Sequence, residues 1–154
     1  MYKNVITLVV LMMVVTTVVP AAAASTASSS DRNIQITRIV VHPSGHDLNF
    51  TVYYDTNFFT DVFSKFFGAK TIQPSIENTF GNFTNVTVSR IDLDDHMAEV
   101  EAANQTYLND DGLYVYDQNA AFPARVDKLE IRDTSAGPMI LQNADSVPFF
   151  TASP

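Results

Sequence analysis

The stretch that decides the fold is DLNFTVYYDTNFFTDVFSKFFG, residues 47–68, because the spacing of its apolar side chains changes midway. In the first half, apolar and polar residues alternate, which is typical of a β-strand with one buried face. In the second half, apolar residues fall one and four positions apart, which is the spacing of one helix face. The stretch therefore predicts a half-buried strand followed directly by a helix. The strand residues expected to point inward are Leu48, Phe50, Val52 and Tyr54, with Asn49 and Thr51 on the solvent side.

The predicted helix covers residues 58–67. Thr56 or Asn57 can cap its start, and Gly68 can end it. We expect its apolar face to pack on the sheet as part of the core, rather than to bind a membrane or a partner protein. A second short helix is predicted over residues 74–80, which begin with Pro74 and are followed by Gly81. The apolar face of the first helix consists of Phe58, Phe59, Val62, Phe63, Phe66 and Phe67.

The flanking sequence has strand character on both sides of these helices. Before residue 47, alternating apolar residues shift phase by one position at Arg38, which predicts a β-bulge, and residues 43–47 predict a hairpin turn. The whole pattern predicts a mainly β single domain, β-sandwich-like or α+β, of six to eight short strands with one or two short helices after the second strand. The later strands are expected at residues 86–93, 97–103, 113–116, 125–132 and 139–142, with an edge segment at 147–151.

The N-terminal segment has the organisation of a secretory signal peptide. Lys3 precedes an uncharged run over residues 5–19, and Pro20 and four alanines follow it. The alternative is a retained membrane anchor, but fifteen helical residues rise only about 22 Å, less than the roughly 30 Å of a bilayer core. We therefore predict a signal peptide at residues 1–24, a flexible Ser-rich tether at 25–32 and a single β-rich extracellular domain at 33–152.

Composition narrows the classes of partner and chemistry. The 154 residues carry a net charge of −8 and include no cysteine, 11 Phe and 6 Tyr. An acidic surface repels nucleic acid and anionic membranes. Without cysteine the core depends on apolar packing, for which the aromatic residues are the obvious material. We expect a secreted or cell-surface protein that does not insert into the membrane after signal cleavage.

Four Asn-x-Thr sequons predict N-glycosylation in an exported protein: Asn49, Asn82, Asn85 and Asn104. Asn49 ranks first because strand alternation places both Asn49 and Thr51 on the solvent face. Asn104 ranks second. Asn82 and Asn85 are three positions apart, so that a glycan on one can block the other.

Two acidic runs are the candidates for binding a metal ion. Clustered carboxylates in loops can supply the six to eight oxygens that Ca²⁺ prefers, although neither run has the spacing of an EF-hand loop. No cofactor other than Ca²⁺ is indicated. The candidate ligands are Asp92, Asp94, Asp95, Asp110 and Asp111.

No catalytic motif is present in the sequence. It has no G-x-S-x-G, no H-E-x-x-H and no cysteine nucleophile. The histidines are His42, His46 and His96, and we expect each to be an exposed loop residue rather than a zinc ligand or general base.

Two segments, VYYDTNFFTDVFSKFFG (residues 52–68) and NADSVPFF (residues 143–150), resemble small uncharacterised secreted cell-envelope proteins of methanogenic archaea. What the resemblance implies is a cell-envelope setting. It implies no activity and no functional residues.

Three functions remain open at this point. The first is a secreted, N-glycosylated envelope or extracellular domain that acts by surface contact with other proteins or glycans and not by catalysis. The second is a fibre or surface-layer subunit whose N-terminal arm and first strand pair with a neighbour's sheet edge. The third is a small secreted hydrolase that uses two carboxylates, which need no sequence motif.

Overall fold

A long antiparallel hairpin begins the described part of the chain, which in this computed structural model covers residues 34–154. The predicted signal peptide and tether lie outside these residues. The hairpin pairs β1 (Ile34–Ser44) with β2 (Asp47–Thr56), and Gly45 in its turn has a φ of 61°. The register shifts between Ile36 and Arg38, which confirms the predicted bulge.

The burial of β2 follows the predicted alternation. Leu48, Phe50, Val52 and Tyr54 are at most 1% exposed, whereas Asn49 is exposed. Because a one-residue slip would move every side chain to the other face, this agreement establishes the register of the central hairpin.

The remaining elements complete a mainly β single domain with its helices after the second strand, as predicted. Nine strands in the described residues form two sheets, of order β3-β4-β2-β1-β7-β8 and β5-β6-β9. After β2 come α1 (Phe58–Phe67), a 3-10 turn (Ala69–Thr71), α2 (Gln73–Thr79), β3 (Val86–Asp92), β4 (Met97–Ala102), β5 (Tyr107–Leu108), β6 (Tyr114–Tyr116), β7 (Ala121–Ile131), β8 (Met139–Ser146) and β9 (Phe150–Ala152).

The first strand lies inside the large sheet, with β2 antiparallel on one side and β7 parallel on the other. The ladder to β7 runs from Arg38, opposite Lys128, to Val41, opposite Ile131. Strands β7 and β8 are antiparallel neighbours, with an irregularity in their register between Ala121 and Val126. In this structure β1 is therefore paired within its own chain on both sides.

The core lies between the large sheet, α2 and the small sheet. The Phe50 ring on β2 lies 4.8 Å from the Phe80 ring and 5.3 Å from the Phe83 ring, and Phe122 packs against both of the latter. Ile72 and Ile76 fill the same layer, each at most 1% exposed. Burying a Phe side chain stabilises a fold by about 1.5–3 kcal/mol, so this cluster is a main source of the domain's stability.

The opposite face of the large sheet carries an ion cluster around Glu130. The carboxylate of Glu130, 12% exposed, lies 2.6 Å from Arg38, 2.8 Å from Arg132 and 3.7 Å from Lys128. Hydrogen bonds from Arg132 and Arg38 lower the pKa of Glu130 to about 2. The Arg38 guanidinium also lies 5.3 Å from the centre of the Tyr53 ring. The cluster joins β1 to β7 on the solvent side of the sheet.

Helix α1 has the predicted bounds and caps but the opposite orientation. The Asn57 side-chain oxygen accepts a hydrogen bond from the Thr60 amide at 2.8 Å, and Gly68 ends the helix with a φ of 86°. The expectation that the Phe face packs on the sheet is wrong: Phe63 is 54% exposed, while Ser64 on the other side is 3% exposed. The physical reason is that Phe80, Phe83 and Phe122 already occupy the space over Phe50.

Candidate functional site: the exposed aromatic face of α1

Six side chains of α1 form one exposed apolar surface, which we call the Phe face. At 100° per residue their directions span an arc of about 180°, half of the helix circumference. The stripe that faces the core in an ordinary surface helix is also apolar, but here it points outward. The Phe face consists of Phe58 (75% exposed), Phe59 (82%), Val62 (36%), Phe63 (54%), Phe66 (82%) and Phe67 (67%).

The Phe face is large for a single molecule. With about 150–250 Å² for a whole Phe side chain, the observed exposures leave on the order of 500–900 Å² of aromatic surface in solvent. The largest apolar patch on a typical monomer measures about 300–600 Å², and patches of that size or more mark interaction sites. The rings also contact one another, with centroids 4.3 Å apart for Phe63 and Phe67 and 5.8 Å for Phe58 and Phe59.

Polar contacts hold the other side of α1 to the domain. The Ser64 hydroxyl accepts a hydrogen bond from the Thr71 hydroxyl at 3.1 Å. The Asp61 carboxylate lies 3.2 Å from His96 Nε2, in the turn between β3 and β4. Because the polar side of the helix is used for attachment, the aromatic side is left outward.

Lys65 adds a second link between α1 and the same turn. Its ammonium group lies 3.4 Å from Asp61 and 3.9 Å from Asp94. The hydrogen bond to His96, and then that to Lys65, lower the pKa of Asp61. Burial, with the nearby charges of Asp92 and Asp61, raises the pKa of Tyr54, beside the His96 ring, to about 12. At neutral pH Asp61 is therefore ionised and Tyr54 is protonated.

A groove runs from the Phe face along the start of β1. One cavity of about 330 Å³ is lined by Ile34, Phe59, Phe63 and Ser75, among others. A second cavity of the same volume shares Ile34 and Ser75 and extends to residues 123–126 at the start of β7. The chain therefore enters the described domain at Ile34, directly beside the Phe face.

The first acidic run, residues 92–95, forms the turn between β3 and β4. Asp92 Oδ1 accepts hydrogen bonds from the amides of Asp94 and Asp95, both at 3.1 Å, and its other oxygen lies 2.9 Å from Arg90. The backbone hydrogen bond from Asp95 is the main cause that lowers the pKa of Asp92. This carboxylate therefore already has donors for both of its oxygens.

The second acidic run, residues 109–112, forms the turn of the hairpin between β5 and β6. There the Asn109 side chain accepts hydrogen bonds from the amides of Asp111 and Leu113, while Asp110 and Asp111 are exposed. Across residues 34–154, no three side chains of His, Cys, Asp or Glu are grouped so that they could hold a metal ion. The structure thus does not gather the candidate calcium ligands into one site.

The three histidines each contact a different part of the chain. His42 on β1 is 3.4 Å from Asp133, and His46 in the hairpin turn is 3.0 Å from the Thr106 carbonyl oxygen and packs edge-on against Tyr114. His96 is the one that contacts α1. Its imidazole therefore has a structural task, which is to hold the helix.

All four sequon asparagines are exposed. Asn49 is on a regular strand, whereas Asn85 and Asn104 have positive φ angles of 51° and 58°. The Asn82 amide donates a 2.7 Å hydrogen bond to the Ala121 carbonyl. The partner hydroxyl of the Asn104 sequon, on Thr106, is in a buried residue and donates to the Gly45 carbonyl at 2.7 Å.

Sequence reasoning identified every residue of the Phe face but assigned the face to the core. It missed the cluster around Glu130, because Arg38 and Glu130 are 92 positions apart and only the fold brings them together. One signal in the sequence could have indicated an outward face. Ser64 is small and polar, so it can be buried against the domain through a hydrogen bond, and it is buried in the structure while Phe63 is exposed.

None of the helices in the described residues is both long enough and apolar enough to cross a bilayer. Comparison of the chain with protein-family models, with characterised proteins and with solved structures finds no match.

Proposed function

We propose that this chain is a secreted envelope domain that acts by surface contact through the Phe face, and not by catalysis. The observation that carries the proposal is the outward orientation of α1, which leaves five Phe side chains more than half exposed. Exposing that much aromatic surface to water is costly unless something covers it in the working state. A contact surface accounts for the exposed aromatic side chains, since aromatic residues dominate the central contacts of interfaces.

The attachment of α1 supports this proposal. Ser64, Asp61 and Lys65 hold the helix in place by polar contacts, so that the apolar side remains outward without a partner present. A rigid, preformed contact surface loses little conformational entropy when it binds. The Phe face is therefore organised before its contact is made.

The proposed glycan coat is compatible with such a surface. On β2, Phe50 points toward α2, so its neighbour Asn49 points away from the helical layer. A glycan on Asn49 would cover the polar face of the sheet and leave α1 accessible. In this proposal the sugar shields one side of the domain, and the Phe face makes the contact on another.

The test is envelope retention in the native host. The double variant Phe59→Ser/Phe66→Ser changes two side chains that are each 82% exposed. We expect this variant to be exported normally but to be released from the envelope fraction into the medium, because the contact surface is lost. The measurement is the fraction of protein in the envelope and medium, read by immunoblot.

The matched control is Phe149→Ser, which removes a Phe that is 62% exposed but lies outside α1. This variant should stay with the envelope fraction like the unaltered protein. Equal retention of the double variant and the control would show that the Phe face is not the contact surface.

A further inference from the structure

We infer that the Phe face binds the surface of a lipid bilayer, with α1 lying parallel to the membrane plane. This inference rests on the proposed function and names the class of its partner. Three observations favour a lipid surface over a second copy of the chain or another protein. They are the width of the apolar arc, the placement of the charges of α1, and the point at which the chain enters the domain.

The first observation is the width of the arc. A helix that packs on one partner helix contacts it along a narrow seam. The Phe face instead spans about 180° of the circumference, and rings at both edges of the arc, Phe58 and Phe67, are 75% and 67% exposed. A bilayer interface can cover a whole half-cylinder, since an interfacial helix buries its apolar face to a depth of about 5–10 Å.

The second observation is where the helix keeps its charges. Asp61 pairs with His96, and the half-exposed Lys65 lies 3.9 Å from Asp94, so both charges of α1 lie outside the aromatic arc. The arc itself contains only Phe and Val side chains, and no charge would have to enter the acyl region. Because the chain carries a net charge of −8, a zwitterionic surface suits it better than an anionic one.

The third observation is the position of the chain entry. Ile34 lines the same cavity as Phe59 and Phe63, so residues 1–33 join the domain on the side of the Phe face. Those residues include the uncharged run over 5–19. Fully extended, the intervening residues 20–33 span at most about 50 Å. While the run is in a membrane, during export or in a retained form, the Phe face is thus held close to the same bilayer.

The experiment uses residues 25–154, which contain the complete described core, so that the run over 5–19 cannot itself cause binding. The chain has no Trp, so the substitution Phe66→Trp gives a single fluorescent reporter in the Phe face. Phe149→Trp gives the matched reporter outside it. Each variant is mixed with unilamellar vesicles of phosphatidylcholine, and then with vesicles whose acyl chains carry bromine as a quencher.

We expect the F66W emission to shift to the blue on phosphatidylcholine vesicles and to be quenched by the brominated lipid, while the F149W emission changes in neither case. In flotation assays, Phe59→Ser/Phe66→Ser should lower the lipid-bound fraction by about tenfold or more, because two of the apolar rings that would leave water on binding are removed. Phe149→Ser should stay within about twofold of the unaltered protein. Melting curves of all variants verify that these exposed substitutions leave the fold intact.

The absence of flotation of the unaltered protein, or equal flotation of the double variant, would overturn the lipid inference. If the protein instead forms dimers in sedimentation experiments, and Phe59→Ser/Phe66→Ser abolishes them, the Phe face is an interface between copies. That result would overturn the inference but leave the proposed surface contact standing. If the double variant changes neither lipid binding, nor dimerisation, nor envelope retention, both the inference and the proposed function fail.

Discussion

Phe80 and Phe63 are identical side chains in opposite environments. Phe80 is 0% exposed and packs against the rings of Phe50, Phe83 and Phe122. Phe63 is 54% exposed, and its ring contact is with Phe67 on the same helix. The contribution of a Phe side chain to stability is therefore determined here by whether it packs over β2, and not by its residue type alone.

This contrast gives a prediction at the scale of single residues. Phe80→Ala should lower the free energy of unfolding by about 3–5 kcal/mol, through lost transfer energy and the cavity that remains. Phe66→Ala, at a site 82% exposed, should change it by no more than about 0.5 kcal/mol. Chemical denaturation of the two variants checks both values. A loss at Phe66 as large as the loss at Phe80 would mean that the Phe face is part of the core.

The sequence was sufficient to predict what local interactions determine at α1. Its bounds depend on the cap at Asn57 and on the end at Gly68, both of which are adjacent in sequence. Its orientation depends on Phe80, Phe83 and Phe122, which come from later segments and fill the core over Phe50. An apolar stripe shows which side of a helix is hydrophobic, but it does not show what covers that side.

In the strands, too, features set by neighbouring residues were predicted and features set by distant segments were not. Alternation predicted which way Asn49 points, because a strand's period is a local property. The parallel pairing of β1 with β7 and the two-residue strand β5 were not predicted. The pairing joins distant segments, and Tyr107–Leu108 is too short to show a period.

The ion cluster that joins β1 to β7 predicts how the stability of the domain depends on pH. Hydrogen bonds from Arg132 and Arg38 lower the pKa of Glu130 from 4.5 to about 2. Because the folded pKa is the lower one, the stabilisation is fully present above pH 4.5 and is lost as the pH falls toward 2. Glu130→Gln should lower the free energy of unfolding by about 1–3 kcal/mol at pH 7.

Thermal melts as a function of pH check this prediction. The difference in Tm between the unaltered protein and Glu130→Gln should shrink as the pH is lowered from 4.5 to 2. Glu101→Gln, at an exposed position on the same face of the sheet, is the matched control and should melt within a few degrees of the unaltered protein. A constant Tm difference across that pH range would contradict the assigned role of the Glu130 carboxylate.

Across the domain as a whole, the occupancy of the sequons should follow the accessibility of each asparagine on the folded protein. We expect Asn49 to be the most fully occupied sequon, because its side chain stands on the open polar face of a regular strand. The Asn104 sequon places its Thr106 in the interior, so that any glycan there must be added before folding. Mass spectrometry of glycopeptides from native material measures the occupancy of each site.

Two substitutions sharpen this test. Thr51→Ala should remove the glycan from Asn49 alone, and Thr106→Ala should do so at Asn104, where it also deletes a hydrogen bond to Gly45. An unmodified Asn49 in material that is modified at Asn82 or Asn85 would contradict the expected order of occupancy.

The central position of β1 has a mechanical consequence for a domain held by its N-terminal end. A pull on the segment that precedes Ile34 loads β1 along its own length, while its hydrogen bonds to β2 run across that direction. These bonds, and those to β7, must then shear together instead of opening one after another. At the other end, β9 has three residues, which pair with β6 and make a single bridge from Ala152 to Thr134, with hydrogen bonds from Ser135 to Thr151, so that tension meets only a short ladder there. The domain is therefore built to bear load from its first strand and to yield from its last.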